Sequence, residues 1–258
     1  MQTPRGEMAW LEAGAGWPLV LIHAFPLCAD MWRPQLDAVP AGWRFIAPDL
    51  RGFGNGPRVT ATMTMDDYAL DVCALMDGVG LEKAAIGGLS MGGYVTFAIF
   101  RKEPMRFSGM VLADTRSQAD TPQGREARLQ MRALLAERGP AGIAEQMLPK
   151  LLSPAAGSTA VRDVRWMIES ADPAGIDAAI GALMTRPDST PDLVRIACPT
   201  LVVVGDADAI TPVADAEAMQ RMIQRSTLTV IPGAGHLSSL EQPDAFSRVL
   251  GDHLQSAL

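Results

Sequence analysis

Cysteine is scarce. Cys28, Cys73 and Cys198 are an odd number with no CxxC spacing and no His or Cys near enough to complete a zinc site, which excludes a disulfide framework and a structural zinc. A reducing cytoplasm is the compartment expected from that usage. A surplus of basic residues is also missing: 22 Lys and Arg face 29 Asp and Glu, a formal charge of −7. With no cationic excess to release counterions from phosphates, neither nucleic acid nor an anionic membrane is expected as the main partner. Long apolar runs are lacking too, since none approaches the roughly 18 residues of a membrane span, and the best candidate, 17–29, is interrupted by Pro18, His23 and Pro26. Met1 to Trp10 have neither an apolar stretch nor a small-residue cleavage site, so no secretory leader is expected. Repeats and low-complexity linkers are absent as well. What is present is an ordinary globular balance, 48% hydrophobic and 20% charged, in 258 residues that fit one α/β domain carrying an insertion.

Short β-branched apolar runs, bounded by Gly, Pro or Asp, alternate with helical segments. The runs lie at 18–23, 45–48, 84–89, 109–113, 201–204 and 227–231. This is the pattern of a mostly parallel sheet covered by helices on both faces. Between two of them, Met65 to Gly80 sets Tyr68, Val72, Leu75, Met76 and Val79 on one stripe, with Asp66 and Asp67 in the first turn, which predicts a helix. From 115 to 190 the β runs vanish. That stretch is rich in Ala, Met, Arg and Pro, with turn signals at Gly139-Pro140, Ser153-Pro154, Asp172-Pro173 and Arg186-Pro187. It predicts three or four short helices forming a lid (115–190), inserted into a core built from 1–114 and 191–258.

The strongest chemical signal is Gly88-Leu89-Ser90-Met91-Gly92, which follows an apolar strand and opens a helical segment. A nucleophilic serine needs its hydroxyl held above the sheet edge in a strained turn, and glycines flank it because side chains there would strike the neighbouring strand and helix. A hydroxyl is a poor nucleophile until a base removes its proton, and a carboxylate must orient that base. Both partners follow in chain order: Asp206 or Asp208 after the run at 201–204, and His236 after the run at 227–231. Each lies just past the C-terminal end of a strand, where open parallel sheets build their sites. Residue spacing alone leaves the two aspartates open, although Asp beside Gly commonly forms a turn. His253, in the C-terminal helical segment, is expected to face solvent.

Acyl transfer builds an oxyanion that backbone N–H donors stabilise. The donors named from sequence are the amides of Met91, next to the serine, and Phe25, in His23-Ala24-Phe25-Pro26 after the first run. His23 is expected mainly to shape that loop. With Trp32 close by, it is also a candidate substrate contact. In the lid, Met131, Met147, Trp166, Met167 and Met184 are candidates for an apolar pocket wall, with Leu135 and Leu148 beside them.

Taken together these segments resemble the α/β-hydrolase family over nearly the whole chain. Besides the serine turn, Asp49-Leu50-Arg51-Gly52-Phe53-Gly54 resembles the family's D-x-R-G-x-G turn, Gly205-x-x-Asp208 with Pro212 its acid loop, and Gly233-x-Gly-His236 its histidine loop. The resemblance selects Asp208 as the acid. It is nearest to small carboxylesterases and enzymes of the 3-oxoadipate enol-lactonase type, and it implies a serine hydrolase acting on a small ester or lactone with no metal ion or organic cofactor. Two departures stand out: Ala24 where Gly is usual, and Asn55-Gly56-Pro57 in place of the Ser that commonly follows the D-x-R-G-x-G turn. Other reactions open to the same three residues are C–C cleavage of a β-diketone, thioester hydrolysis and cofactor-free perhydrolysis. A binding protein on the same fold is the reading of a different class.

Overall fold

The computed structural model describes residues 1–257. The chain opens with a small hairpin, β1 (Gln2–Thr3) and β2 (Gly6–Glu7), and then enters the main sheet with β3 (Trp10–Gly14), β4 (Trp17–Ile22) and β5 (Trp43–Pro48), a short helix α1 (Arg33–Leu36) lying between the last two. Next come α2 (Met65–Gly78), β6 (Ala84–Leu89), α3 (Met91–Lys102) and β7 (Phe107–Ala113). The sheet is completed by β8 (Thr200–Gly205) and β9 (Ser226–Ile231). It has seven strands in the order β3-β5-β4-β6-β7-β8-β9. Only β3 runs antiparallel, paired with β5. The mostly parallel sheet with flanking helices expected from the sequence is therefore present.

Physical chemistry accounts for the elements. Every residue of β6 and of β8 is buried, which is why both read as continuous apolar runs rather than as alternation. Strand β3 was not legible in the sequence, because at the sheet edge its residues are half-buried or exposed and carry no sustained apolar pattern. Helix α2 starts at a capping box: Thr64 accepts from the Asp67 amide, and the Asp67 carboxylate accepts from the Thr64 amide. A buried ion cluster stitches the first elements together. Asp71 of α2, wholly enclosed, accepts from Arg5 Nε at 2.6 Å, in the β1–β2 turn, and from Arg51 Nε at 2.8 Å, in the loop after β5.

Chain order and strand order diverge at one place. The chain runs β4 to β5 on one side, then crosses back to β6 and continues outward to β9. The loops leaving the C-terminal ends of β4 and β6 therefore turn to opposite sides and open a crevice between them.

Between β7 and β8 lies a helical insertion. It comprises α4 (Pro122–Leu151), interrupted at Gly139, where φ is 62° and ψ −166°, then α5 (Ser158–Glu169) and α6 (Pro173–Thr185). Its two ends leave and re-enter the core side by side: the Ser189 amide donates to the Ser117 carbonyl at 2.8 Å, and the Ser117 and Thr190 hydroxyls meet at 2.9 Å. Arg186, almost fully buried, clasps the same base. Its guanidinium reaches Asp120 at 2.7 Å and the Gln118 and Leu183 carbonyls at 3.1 and 2.9 Å, and it lies 4.2 Å from the Tyr94 ring. Two further helices, α7 (Val213–Met222) and α8 (Ser238–Glu241), precede the C-terminal helix α9 (Pro243–Ala257). His253 of α9 is only 8% exposed, against the expectation of a solvent-facing residue, and burial pushes its pKa down. The reason is that α9 turns this face onto Leu201 and Thr227 of the sheet, with which His253 shares a pocket wall.

Candidate active site

Ser90 occupies the single residue between β6 and α3, at φ 55° and ψ −112°. A non-glycine residue in that region carries about 1–3 kcal/mol of strain, which only a well-packed neighbourhood maintains. The neighbourhood is backbone against backbone. A Cβ on Gly92 would run into the Ile22 carbonyl oxygen, and one on Gly88 would lie 2.6 Å from that same oxygen. Glycine at both positions lets the turn sit directly on the end of β4, and Ser90 is further held by its amide, which donates to the Ala113 carbonyl at 3.0 Å.

Three side chains from three strand ends form one line. Ser90 Oγ lies 2.8 Å from His236 Nε2, and His236 Nδ1 lies 2.8 Å from Asp208 Oδ2. With Nδ1 donating to the carboxylate, Nε2 is left as the acceptor for the serine hydroxyl. Asp208 and His236 are buried, whereas Ser90 is partly open. Burial alone would raise the Asp208 pKa, but the hydrogen bond and charge of His236, with donation from Thr211, outweigh it and hold the carboxyl below its ordinary value. The donors on Asp208 are the Ile210 and Thr211 amides at 2.8 and 2.9 Å and the Thr211 hydroxyl at 2.6 Å. Thr211 was not anticipated from sequence, although a hydroxyl residue three positions after an Asp is a recognisable local hydrogen-bonding pattern.

Asp206 does something else. It is exposed, and its Oδ1 accepts from the Gly233 amide at 2.8 Å, tying its loop to the loop of His236. The same two loops are joined by the Ala207 amide donating to the Ala234 carbonyl at 2.9 Å. Glu241 ties the His236 loop to the helical insertion, accepting from the Gly235 and Ser153 amides at 2.9 and 2.8 Å.

The loop after β4 rests on the loop after β5. Asp49 accepts from the Ala29 and Asn55 amides at 2.8 and 2.9 Å, and His23 Nε2 accepts from the Leu50 amide at 3.0 Å. The other ring nitrogen of His23 donates to the Ala24 carbonyl at 2.9 Å. Burial drives the His23 pKa down, in keeping with a neutral ring. Cys28, in the same loop, has its thiol pushed up to about 12 by burial and is no nucleophile at neutral pH. Among the described residues, the amides of Phe25 and Met91 donate to no protein acceptor.

Not every candidate contact is available to a ligand. His23 is fully enclosed, with both ring nitrogens occupied by backbone and its edge on Phe53 at 5.4 Å, so it is a brace for the loop and not a substrate contact. Trp32 is likewise fully buried, packed on Phe246 of α9 at 5.9 Å. Met131 and Met147 line a pocket of about 200 Å³ that reaches Ile210, beside Asp208. Trp166, 56% exposed, and Met167 instead line a cleft against Asp30 and Leu240. Met184 is half-buried and packs on the core.

Comparison with known proteins defines the class. A model described as the alpha/beta hydrolase family matches residues 19–249. A solved thermophilic esterase from Thermogutta terrifontis, with malate bound, is 40% identical and superposes with a TM-score of 0.94, covering 97% of this chain and 93% of its own. The 3-oxoadipate enol-lactonase 1 of Acinetobacter baylyi is 29% identical over 88% of this chain and 84% of its own. A non-heme chloroperoxidase of Streptomyces lividans is 32% identical over 86% and 85%. The chain belongs to the alpha/beta hydrolase family. It is a hydrolytic enzyme, and its relatives include esterases and enol-lactonases. No helix among the described residues is long and apolar enough to cross a membrane.

Proposed function

We propose that this enzyme is a serine hydrolase that opens a small carboxylic ester or lactone through an acyl-enzyme. The observation that carries the reading is the unbroken line Ser90–His236–Asp208, with both links at 2.8 Å. Ser90 Oγ attacks the carbonyl carbon while its proton passes to His236 Nε2, and Asp208 stabilises the resulting imidazolium. The amides of Phe25 and Met91 receive the oxyanion, each such donor being worth about 3 kcal/mol. Collapse expels the alkoxide, which takes the proton back from Nε2. Water, deprotonated by the same nitrogen, then releases the acid. In a lactone the departing hydroxyl stays tethered to the acyl group. Helices α4 to α6 act as a lid, and Met131, Met147 and Ile210 offer the apolar part of a substrate an adaptable wall.

The test is turnover of p-nitrophenyl esters from acetate to dodecanoate, and of simple lactones, without added metal. Rapid hydrolysis with a chain-length optimum is the expected result. Failure on every ester and lactone would remove the proposal.

The choice of acid carries its own prediction. Asp208→Asn turns the His236 tautomer the wrong way and should lower kcat by about 10⁴-fold, whereas Asp206→Asn should stay near wild type. Stability supplies a second readout. Because the folded pKa of Asp208 is depressed, its contribution is present above the unfolded value near pH 4 and is lost as pH falls through the lower folded value. The Tm gap between wild type and Asp208→Asn should therefore close below about pH 4. A gap that stays constant with pH would contradict the assignment.

A further inference from the structure

The tripeptide Asp114-Thr115-Arg116, leaving the end of β7, touches every loop that carries one of the three aligned residues. Thr115 Oγ1 donates to the Ser90 carbonyl at 2.9 Å. Arg116 donates to the carbonyl of Ile210, in the loop of Asp208. Asp114 spans the other two loops. Its Oδ1 accepts from the Gly205 amide at 2.9 Å, where β8 ends and the Asp208 loop begins, and its Oδ2 bonds the Ser238 hydroxyl at 2.5 Å, two residues beyond His236.

Two features mark Asp114 as more than a turn residue. Its φ is 42°, a left-handed conformation that few side chains adopt, and the residue is completely enclosed. A carboxyl sealed from water, in a strained backbone, at the junction of the loops that hold base and acid, is costly to maintain without a return.

We propose that Asp114 is a positioning residue of this site: its carboxyl braces the loop of Asp208 against the loop of His236 and so fixes the base relative to its acid, an inference that rests on the serine-hydrolase reading. On this reading the carboxyl stays protonated at working pH. Burial drives its pKa well above the ordinary carboxylate value, the nearby Asp208 adds to the shift, and the hydrogen bonds from Ser238 and Gly205 only partly oppose it. No Lys, Arg or His forms an ion pair with Asp114 among the described residues. A proton on Asp114 spares His236 a second negative charge and leaves Asp208 as its sole acidic partner. An asparagine keeps the acceptor for Gly205 and carries no charge, so it is the nearest stand-in for the neutral acid.

The other ties between these loops, through Asp206 and Ala207, remain when Asp114 is altered, so the fold survives while the alignment relaxes. Asp114→Gly removes the carboxyl yet accepts the left-handed backbone. With the best ester, its kcat should fall about 100-fold at nearly constant KM, the size expected of a misplacement near 1 Å. Asp114→Asn should restore most of that loss, with the acid limb of its kcat/KM profile where wild type has it. Should Asp114→Gly not fold, Ser238→Ala cuts the same tie and should lower kcat about tenfold.

The low-field proton resonance of His236 Nδ1–H provides a readout that needs no substrate. It should be present in wild type and Asp114→Asn, and shifted or broadened in Asp114→Gly and Ser238→Ala. An unchanged resonance in both of the latter, an Asn variant as impaired as Gly, or a displaced acid limb in Asp114→Asn would each overturn the neutral brace. Absence of any ester or lactone turnover in wild type would defeat the serine-hydrolase reading alone, since the resonance still decides the brace.

Discussion

Ser90→Ala is expected to lower kcat by about a million-fold on whichever ester proves best, with a melting temperature close to that of wild type. The oxygen removed has one polar partner, His236 Nε2 at 2.8 Å, and it is bound to a residue already partly open to solvent. Nothing in the core loses a contact, and the substituted alanine keeps the backbone between β6 and α3. The loss is kinetic. Without the hydroxyl, His236 has no nucleophile to deprotonate and no acyl-enzyme can form, leaving only what the oxyanion donors and binding supply to direct attack by water. Members of such a set act as a unit, so the Ser90→Ala/His236→Ala double variant should be no slower than either single variant. Initial rates per mole of purified protein, together with fluorophosphonate labelling of wild type and variant, are the measurement. A variant retaining about 1% of wild-type turnover, or one that still reacts with the fluorophosphonate, would move the nucleophile elsewhere.

Asp71→Ala is the complementary case, with a large effect on stability and little on chemistry. Asp71 is wholly buried, and both of its oxygens are occupied: Arg5 Nε and Arg51 Nη2 reach Oδ1 at 2.6 and 2.9 Å, and Arg51 Nε reaches Oδ2 at 2.8 Å. Arg51 also donates to the Arg5 carbonyl. The hydrogen bonds of Asp71 are the main reason the Arg51 pKa is raised further. Removing the carboxylate strands two guanidinium groups against a helix, which costs about 3–5 kcal/mol, much more than an exposed pair would. At about 2–4 °C per kcal/mol for a chain of this size, Tm should drop by roughly 10 °C. An Asp71→Leu/Arg51→Met double variant should recover part of that drop, because it removes the more deeply buried of the two orphaned charges along with its partner. A drop of less than about 2 °C for Asp71→Ala would mean that solvent reaches the cluster.

Part of this was legible in the residues, and the physics says which part. Strands β6 and β8 are buried on both faces, so their apolar runs announce them, and the glycines around Ser90 mark a turn in which a side chain would meet the Ile22 backbone. His236 could be named because it directly follows a strand run, whereas Asp206 and Asp208 follow theirs equally and only the family resemblance chose between them. Periodicity tells which residues share a face, however, and not what that face meets. Trp32 and His23 sit next to the crevice in sequence, yet one turns into Phe246 and the other into the loop after β5. The burial of His253 escapes the sequence for the same reason. Asp114 stayed hidden because a lone Asp at a strand end looks like an ordinary turn, and its partner Ser238 is 124 positions away. Edge strand β3 carried too little apolar contrast to declare itself.

The closely spaced ends of the helical insertion carry an evolutionary consequence. The chain leaves the core at Ser117 and returns at Ser189, where two hydrogen bonds of 2.8 and 2.9 Å bring exit and entrance together. Loop-closure entropy rises only with the logarithm of the length between such posts, so a segment of quite different size can bridge them at little thermodynamic penalty. The sheet would not register the exchange, provided the incoming segment replaces the Ser153 amide that donates to Glu241 beside His236. Substrate preference can thus drift by recombination of one cassette, with Arg186 on Tyr94 as the suture that any incoming cassette must either reproduce or replace.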